Sequence, residues 1–246
     1  MRKKNIENKI AQGLQRSPAV HKGECGRVLI VAGSPGLTGA GVLAAQGALR
    51  CGAGLVTAAV PRGVNQIYEV KLTEAMSFPL PQTTQGTISP KALSPLQAFA
   101  VKQDVVLIGP GLSQNSQTKE FVRKFLCNSL KPVILDADGL NSVLDFTEIL
   151  AKMKSSVIIT PHIGEFCRLF KREVKKVQRN PKEEAQAISL KYDICVVLKS
   201  HKTVVVDGRR VYTNSTGNPG LATGGSGDVL GGMIAAFCGQ GLDPFD

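Results

Sequence analysis

The chain has 246 residues and a formal net charge of +11, with 43% apolar, 20% charged and 5% aromatic residues. This apolar content supports one sizeable core, whereas the scarcity of aromatic side chains disfavours a platform for stacking nucleic-acid bases. The longest apolar runs are shorter than the roughly 18 residues of a membrane-spanning helix, so no membrane span is predicted.

The first 24 residues are polar and basic, with a weak helical pattern at Ile6, Ile10 and Leu14. They lack the apolar stretch of a signal peptide, and we expect them to form an extension outside the core. Residues 25–246 are expected to form one α/β domain. Six scattered cysteines without a Cys-x-x-Cys pair exclude a disulfide scaffold and a zinc module, and they favour reduced thiols in a cytoplasmic protein.

Continuous apolar runs along the chain predict strands that are buried on both faces of a parallel sheet. These runs are residues 27–32, 55–60, 104–108, 132–135, 156–159 and 194–198. Residues 203–213 differ, because two short strand-like runs flank Asp207-Gly208 and predict an antiparallel β-hairpin. Glycine and polar residues follow most of the strands, which places the candidate chemistry at the carboxyl edge of the sheet.

The most informative segment is Gly224-Gly-Ser-Gly-Asp228, which precedes a predicted helix. The helix is expected to begin near Asp228 and to bury an i, i+3, i+4, i+7 face. That face would consist of Leu230, Met233, Ile234 and Phe237. Free backbone N–H groups at such a helix start bind anions. Asp228 could cap the helix or accept a proton from a hydroxyl that attacks a phosphate, and both roles stay open.

Several blocks in order along the chain resemble the ADP/ATP-dependent NAD(P)H-hydrate dehydratases, a branch of the ribokinase-like superfamily. They are residues 26–34 with 38–40, 108–112, 135–141, 160–165 and 216–230. The resemblance spans about residues 21–246. It implies a three-layer α/β/α sandwich with a mostly parallel central sheet and an antiparallel hairpin near its C-terminal end.

The resemblance also implies a reaction. The S-epimer of hydrated NADH or NADPH (NADHX or NADPHX) would be dehydrated through a phosphorylated intermediate, with Mg²⁺ present and ADP (giving AMP and phosphate) or ATP as co-substrate. Asp228 would deprotonate the ring hydroxyl of the hydrate. Backbone amides near Gly225, Ser226 and Gly227 would stabilise the transferring phosphoryl group.

Matched positions imply two binding regions. The hydrated dinucleotide would contact Ala40, Gly111, His162 and Asp228. The adenine nucleotide would contact Lys199, Ser200, His201, Lys202, Thr203 and Gly227. Alternatives remain for three of these residues: Gly111 could serve only a tight turn, His162 could be a structural histidine, and Lys199 could be a surface charge. We interpret His201 as a loop residue, and Ser200 stands where many relatives have glycine.

Asp136 and Asp138 follow a predicted strand and suit either turn capping, which we favour, or contacts to Mg²⁺-bound water. The glycines at 33, 36 and 39 do not have the Rossmann spacing, and the sequence has no Walker A string. The clustered lysines and arginines are interpreted as a solvated basic face that steers anionic nucleotides, not as a nucleic-acid site.

The resemblance further implies a homotetramer that works with an NAD(P)H-hydrate epimerase. Relatives continue beyond residues 241–246, so the family's last helices are expected to be missing from this chain. Two alternative functions are considered. One is a kinase of the same superfamily for a vitamin precursor or a sugar, and the other is a nucleotide-binding protein without turnover.

Overall fold

The computed structural model describes residues 11 and 14–246, and Ile6 and Ile10 of the predicted N-terminal pattern lie outside them. Within the described part of the chain, nine strands form one sheet in the order β3-β2-β1-β4-β5-β6-β7-β8-β9. The strands are β1 (Arg27–Val31), β2 (Leu55–Pro61), β3 (Met76–Leu80), β4 (Val105–Ile108), β5 (Val133–Leu135), β6 (Val157–Ile159), β7 (Cys195–Leu198), β8 (Val204–Asp207) and β9 (Arg210–Thr213).

Helices lie between these strands and after the last of them. They are α1 (Thr38–Arg50), α2 (Asn65–Lys71), α3 (Leu93–Ala100), α4 (Ser116–Asn128), α5 (Asp138–Asn141), α6 (Ile163–Phe170), α7 (Val174–Arg179), α8 (Pro181–Tyr192) and α9 (Ser226–Gly239). Over the described residues, no helix is both long and apolar enough to cross a membrane.

The sheet is parallel from β3 through β7 and antiparallel at its other end. β7 pairs antiparallel with β8, and β8 pairs antiparallel with β9. Gly208 lies in the turn between β8 and β9 with a positive φ of 59°. The predicted parallel sheet with an antiparallel hairpin is therefore confirmed.

β3 is the one strand of the described sheet that the sequence did not predict. It pairs only with β2, at the edge of the sheet, and contains Pro79. Proline cannot donate to a ladder and is tolerated at sheet edges, so the segment has a weak strand pattern. Its first residue, Met76, is exposed.

Two apolar cores lie on opposite faces of the sheet. The face covered by α1, α2 and α9 buries small residues such as Ala44 and Ala235 together with Tyr68. The other face buries larger side chains from α3, α4, α6 and α8, including Phe121 and Phe166. This arrangement is the three-layer α/β/α sandwich that the family resemblance implied.

Helix α9 buries a different face from the predicted one. The four predicted core residues are only partly buried, and the buried positions are Gly231, Gly232, Ala235 and Ala236. The reason is close helix packing, because a Cβ at Gly232 would overlap the carbonyl oxygen of Ala44 on α1. The small residues of α9 therefore determine how near the two helices approach.

Candidate active site

The predicted functional residues follow neighbouring strands and form a row along the carboxyl edge of the sheet. In sheet order, Ala40 comes after β1, Gly111 after β4, Asp136 after β5, His162 after β6 and Lys199 after β7. The sheet order thus brings together residues that are far apart in the sequence, as expected for the crevice of an open parallel sheet.

Ala40 and Gly111 lie against each other at the first of these strand ends. Gly111 has a positive φ of 63°, and a Cβ built there would lie 3.2 Å from the Cβ of Ala40 and would overlap the carbonyl oxygen of Leu37. The hydroxyl of Ser34 donates a 2.8 Å hydrogen bond to the Gly111 carbonyl. The turn at Gly111 therefore requires a residue without a side chain, and it brings two of the four predicted dinucleotide contacts, Ala40 and Gly111, to one place.

Asp136 and Lys199 form an ion pair. The Lys199 Nζ lies 2.9 Å from Asp136 Oδ1, and the same oxygen accepts a 2.6 Å hydrogen bond from the Thr160 hydroxyl. The Asp136 side chain is 2% exposed and that of Lys199 is 21% exposed. Lys199 is therefore not a surface charge, and the favoured turn-capping role is wrong for the Asp136 side chain.

The residue that caps the start of α9 differs from one of the predicted alternatives, in which Asp228 is the cap. The N-cap residue is Gly225, in a left-handed conformation with a φ of 90°, and Asp228 lies in the first turn. The capping interpretation of Asp228 is therefore wrong. The Ser226 N lies 3.4 Å from the Thr223 carbonyl oxygen. The first i−4 hydrogen bond of the helix runs from the Val229 N–H to the Gly225 carbonyl, so the N–H groups of Gly227 and Asp228 have no i−4 partner within the helix.

The Asp228 carboxyl has a raised pKa. The main cause is burial, the negative charge of Asp136 raises the pKa further, and the positive charge of Lys199 opposes both. A carboxylate with a raised pKa in a crevice is typical of a general base. Asp228, the Lys199 ammonium and the first turn of α9 together offer a proton acceptor beside an anion-binding site.

Tyr68 of α2 also belongs to this region, although the sequence did not indicate it. Its side chain is fully buried, and its hydroxyl has no hydrogen-bond partner within the described chain. A Cβ at Gly33 or Gly41 would overlap this hydroxyl. Burial and the nearby Asp228 carboxylate both raise the pKa of Tyr68, so the phenol stays protonated.

His162 caps helix α6. Its Nδ1 accepts the N–H groups of Gly164 at 3.0 Å and Glu165 at 3.3 Å, while the Glu165 carboxylate accepts the His162 N–H at 2.8 Å. Because Nδ1 is an acceptor, the neutral ring carries its hydrogen on Nε2. The His162 side chain is 54% exposed, and its Nε2 lies 3.6 Å from Glu165 Oε2, beyond hydrogen-bond distance.

Residues 199–203 form a turn after β7. The Thr203 hydroxyl donates to the Ser200 carbonyl at 3.0 Å, and the exposed His201 and Lys202 occupy the tip. A Cβ at Gly217 would overlap the His201 carbonyl oxygen, so the loop that precedes α9 packs on this turn. The predicted nucleotide segment also approaches the glycine-rich segment, because Lys199 Nζ lies 3.5 Å from a Cβ built at Gly227.

The described residues do not provide a metal cage of their own. No group of three or more His, Cys, Asp or Glu side chains in the described ranges is arranged to hold a metal ion. Asp138 accepts hydrogen bonds from the Ser113 N–H at 2.9 Å and from the Asn141 amide at 3.1 Å, and Asp136 is paired with Lys199. Both carboxylates are thus engaged by protein groups, so a Mg²⁺ ion near them would be held mainly by nucleotide phosphates and water.

Comparison with known proteins identifies the family. The sequence model described as NAD(P)H-hydrate dehydratase matches residues 28–246. The chain belongs to the NAD(P)H-hydrate dehydratase family. It is 47% identical to the bifunctional NAD(P)H-hydrate repair enzyme Nnr of Moorella thermoacetica over 94% of this chain and 44% of that protein. The Thermofilum pendens enzyme of the same name is 36% identical over 92% of this chain and again 44% of its own length. The chain thus spans less than half of these relatives.

Solved structures support the same family assignment. The ADP/ATP-dependent NAD(P)H-hydrate dehydratase of Bacillus subtilis, co-crystallised with ATP and Mg²⁺, is 31% identical with a TM-score of 0.77, over 97% of this chain and 81% of that one. A ribokinase-like superfamily protein of Enterococcus faecalis is 27% identical with a TM-score of 0.79, over 92% and 75% of the two chains. The fold of this family member is therefore ribokinase-like.

Proposed function

We propose that the chain dehydrates the S-epimer of NADHX or NADPHX at the expense of ADP or ATP. The observation that carries this proposal is the position of Asp228, a carboxylate with a raised pKa in the first turn of α9, beside free amides and the Lys199 ammonium. Family membership supports the substrate class. Residues 25–246 would act as one catalytic unit.

The proposed reaction begins with proton removal by Asp228. The ring hydroxyl of the hydrate loses its proton to this carboxylate, and its oxygen attacks the terminal phosphorus of the nucleotide, displacing AMP from ADP or ADP from ATP. The first-turn amides near Gly225, Ser226 and Gly227 would donate to the oxygens of the transferring group. Mg²⁺ bound to the nucleotide phosphates would neutralise part of their charge.

Phosphorylation turns a poor leaving group into a good one. The lone pair of the ring nitrogen expels phosphate from the neighbouring carbon, and the ring then loses a proton from the next carbon to restore the reduced nicotinamide. In this scheme Ala40, Gly111 and His162 hold the dinucleotide, and residues 199–203 with Gly227 hold the nucleotide. The contact between Ala40 and Gly111 and the packing of residue 217 on the 199–203 turn support these two regions.

Incubation of the purified protein with NADHX and ADP or ATP tests the proposal. Absorbance of the reduced nicotinamide should recover only when hydrate and nucleotide are both present, with release of one phosphate per product. Asp228→Asn should keep nucleotide binding and lose nearly all turnover. A stable phosphorylated product would indicate a small-molecule kinase instead, and binding without turnover by the unmodified chain would indicate an inactive nucleotide-binding protein.

We further propose that the protein acts in the cytoplasm, forms a homotetramer and works with an NAD(P)H-hydrate epimerase that supplies the S-epimer. The bifunctional names of the Moorella and Thermofilum relatives, of which the chain spans 44%, support the epimerase partnership. Gel filtration with light scattering tests the tetramer. In a mixture of the two epimers, the chain should consume the S-epimer first. An added epimerase should then speed up conversion of the remaining substrate.

A further inference from the structure

Three strand ends meet at one buried carboxylate oxygen. Asp136 Oδ1 accepts the hydroxyl of Thr160 at 2.6 Å and lies 2.9 Å from the Lys199 ammonium. Asp136 follows β5, Thr160 follows β6 and Lys199 follows β7, so the contact crosses neighbouring strands. A carboxylate that is 2% exposed needs such partners, because a buried unpaired charge is costly.

The Lys199 side of this contact faces the start of α9. A Cβ built at Gly227 would lie 3.5 Å from Lys199 Nζ, and a Cβ at Gly231 would lie 3.7 Å from Asp136 Oδ2. An ammonium has three hydrogens, and the pair with Asp136 uses one of them. The lysine side chain is flexible, so its ammonium group has no fixed position without a partner, and the Asp136 carboxylate fixes that position.

We propose that Asp136 is a positioning residue that holds the Lys199 ammonium against the first turn of α9, with Thr160 fixing the carboxylate. The cation is thereby preformed where the phosphates of a nucleoside diphosphate arrive. This inference deepens the proposed function and rests on it for the identity of the anion. In this role Asp136 affects nucleotide binding only by positioning Lys199, and it contacts neither substrate.

A purely structural role is the competing explanation, in which the ion pair only ties β5 to β7. The chain offers a matched control for that role. Glu184 of α8 is 8% exposed and pairs with Lys176 at 2.8 Å and Arg172 at 3.5 Å, on the opposite face of the sheet from α9. Glu184→Gln therefore removes a buried paired charge without touching the strand ends.

The test is a double-mutant cycle on ADP binding, measured by titration calorimetry with Mg²⁺ present. Asp136→Asn keeps the shape of the side chain and an acceptor for Thr160. We expect Asp136→Asn and Lys199→Gln each to weaken ADP binding about tenfold or more, since each removes a charged hydrogen bond. The double variant should bind ADP no more than about threefold more weakly than Lys199→Gln, because the two residues act as one unit.

A pH profile adds a readout of the charges around Asp228, whereas the binding cycle with its Glu184 control separates positioning from a structural role. The charged groups that act on the pKa of Asp228 are Asp136 and Lys199, and the Asp228 charge in turn raises the pKa of the nearby Tyr68 phenol. Asp136 raises the pKa of Asp228 and Lys199 lowers it. The acidic limb of kcat should therefore shift to lower pH in Asp136→Asn and to higher pH in Lys199→Gln.

The outcomes separate this inference from the proposed function. Unchanged ADP binding by Asp136→Asn, or additive losses in the double variant, would overturn the positioning role. Loss of ADP binding in Glu184→Gln to the same extent as in Asp136→Asn would also overturn it, since both effects would then reflect stability. Intact ADP binding without dehydration of NADHX overturns only the proposed function, whereas no ADP binding by the unmodified chain overturns both.

Discussion

Gly47 of α1 faces the Val229 carbonyl of α9 so closely that a Cβ at residue 47 would lie 2.6 Å from the carbonyl oxygen. Val229 follows Asp228 directly, so the contact between the two helices also sets the position of the proposed base. The lack of a side chain at Gly47 therefore allows α9 to approach α1 closely enough to place Asp228 in the site.

Gly47→Ala is expected to destabilise the protein by about 1–3 kcal/mol, because the added methyl group must push α9 away. Turnover should fall as well, since Asp228 moves with the helix. Denaturant unfolding and kcat measure the two effects. Gly39→Ala is the control, because no atom lies within 4 Å of a Cβ at this position in α1 and alanine favours helix. Equal stability of the two variants would contradict the packing argument.

The same helix shows what could be predicted from the sequence. The start near Asp228 was predictable because a glycine-rich loop and an apolar period coincide there. The buried face was predicted wrongly, because periodicity favours the large residues around Met233, whereas the neighbouring helix admits only the small ones around Gly232. That constraint comes from α1 and is invisible in the local sequence.

In the site, too, some residues could be predicted from local motifs and others could not. Local motifs indicated Asp228 and Lys199, since glycine-rich loops and strand ends have recognisable patterns. The contacts of Thr160 with Asp136, and of Tyr68 with the glycines at 33 and 41, join segments far apart in the chain. Such contacts depend on strand order and helix placement, so one sequence without the fold does not reveal them. The edge strand β3 was missed for a local reason, its Pro79.

The rate of the proposed reaction should fall at acidic pH because Asp228 must be deprotonated to act as a base. Burial and the charge of Asp136 raise its pKa, so the acidic limb of kcat should lie above 3.8, the ordinary pKa of an aspartate. Steady-state rates over a pH series, with nucleotide and hydrate saturating, measure this limb. A limb at or below 3.8 would argue that Asp228 is solvated in the working enzyme.

Gly41→Ala should destabilise the protein through Tyr68. The new methyl group would overlap the buried phenol oxygen and would lie 2.9 Å from the Cβ of Ala32, which costs about 1–3 kcal/mol for an overpacked core. Tyr68→Phe removes the oxygen and breaks no hydrogen bond found in the described chain. It should therefore recover part of the loss in the double variant. Strictly additive unfolding free energies would contradict the overlap.

His162 permits a test that separates a structural role from substrate binding. His162→Ala removes the acceptor for the N–H groups of Gly164 and Glu165, and we expect a loss of about 0.5–2 kcal/mol in unfolding free energy. His162→Asn supplies another good N-cap acceptor and should recover most of that loss. Thermal unfolding of the three proteins checks the cap.

The KM for NADHX then tests whether His162 also binds the substrate, in addition to capping α6. The His162 side chain is 54% exposed, its Nε2–H makes no hydrogen bond within the described chain and can donate to a bound dinucleotide, and asparagine has a shorter reach than the imidazole. We expect His162→Asn to restore stability while the KM for the hydrate stays raised, because the cap and the substrate contact use different ring nitrogens. A variant with both stability and KM restored would limit His162 to capping α6.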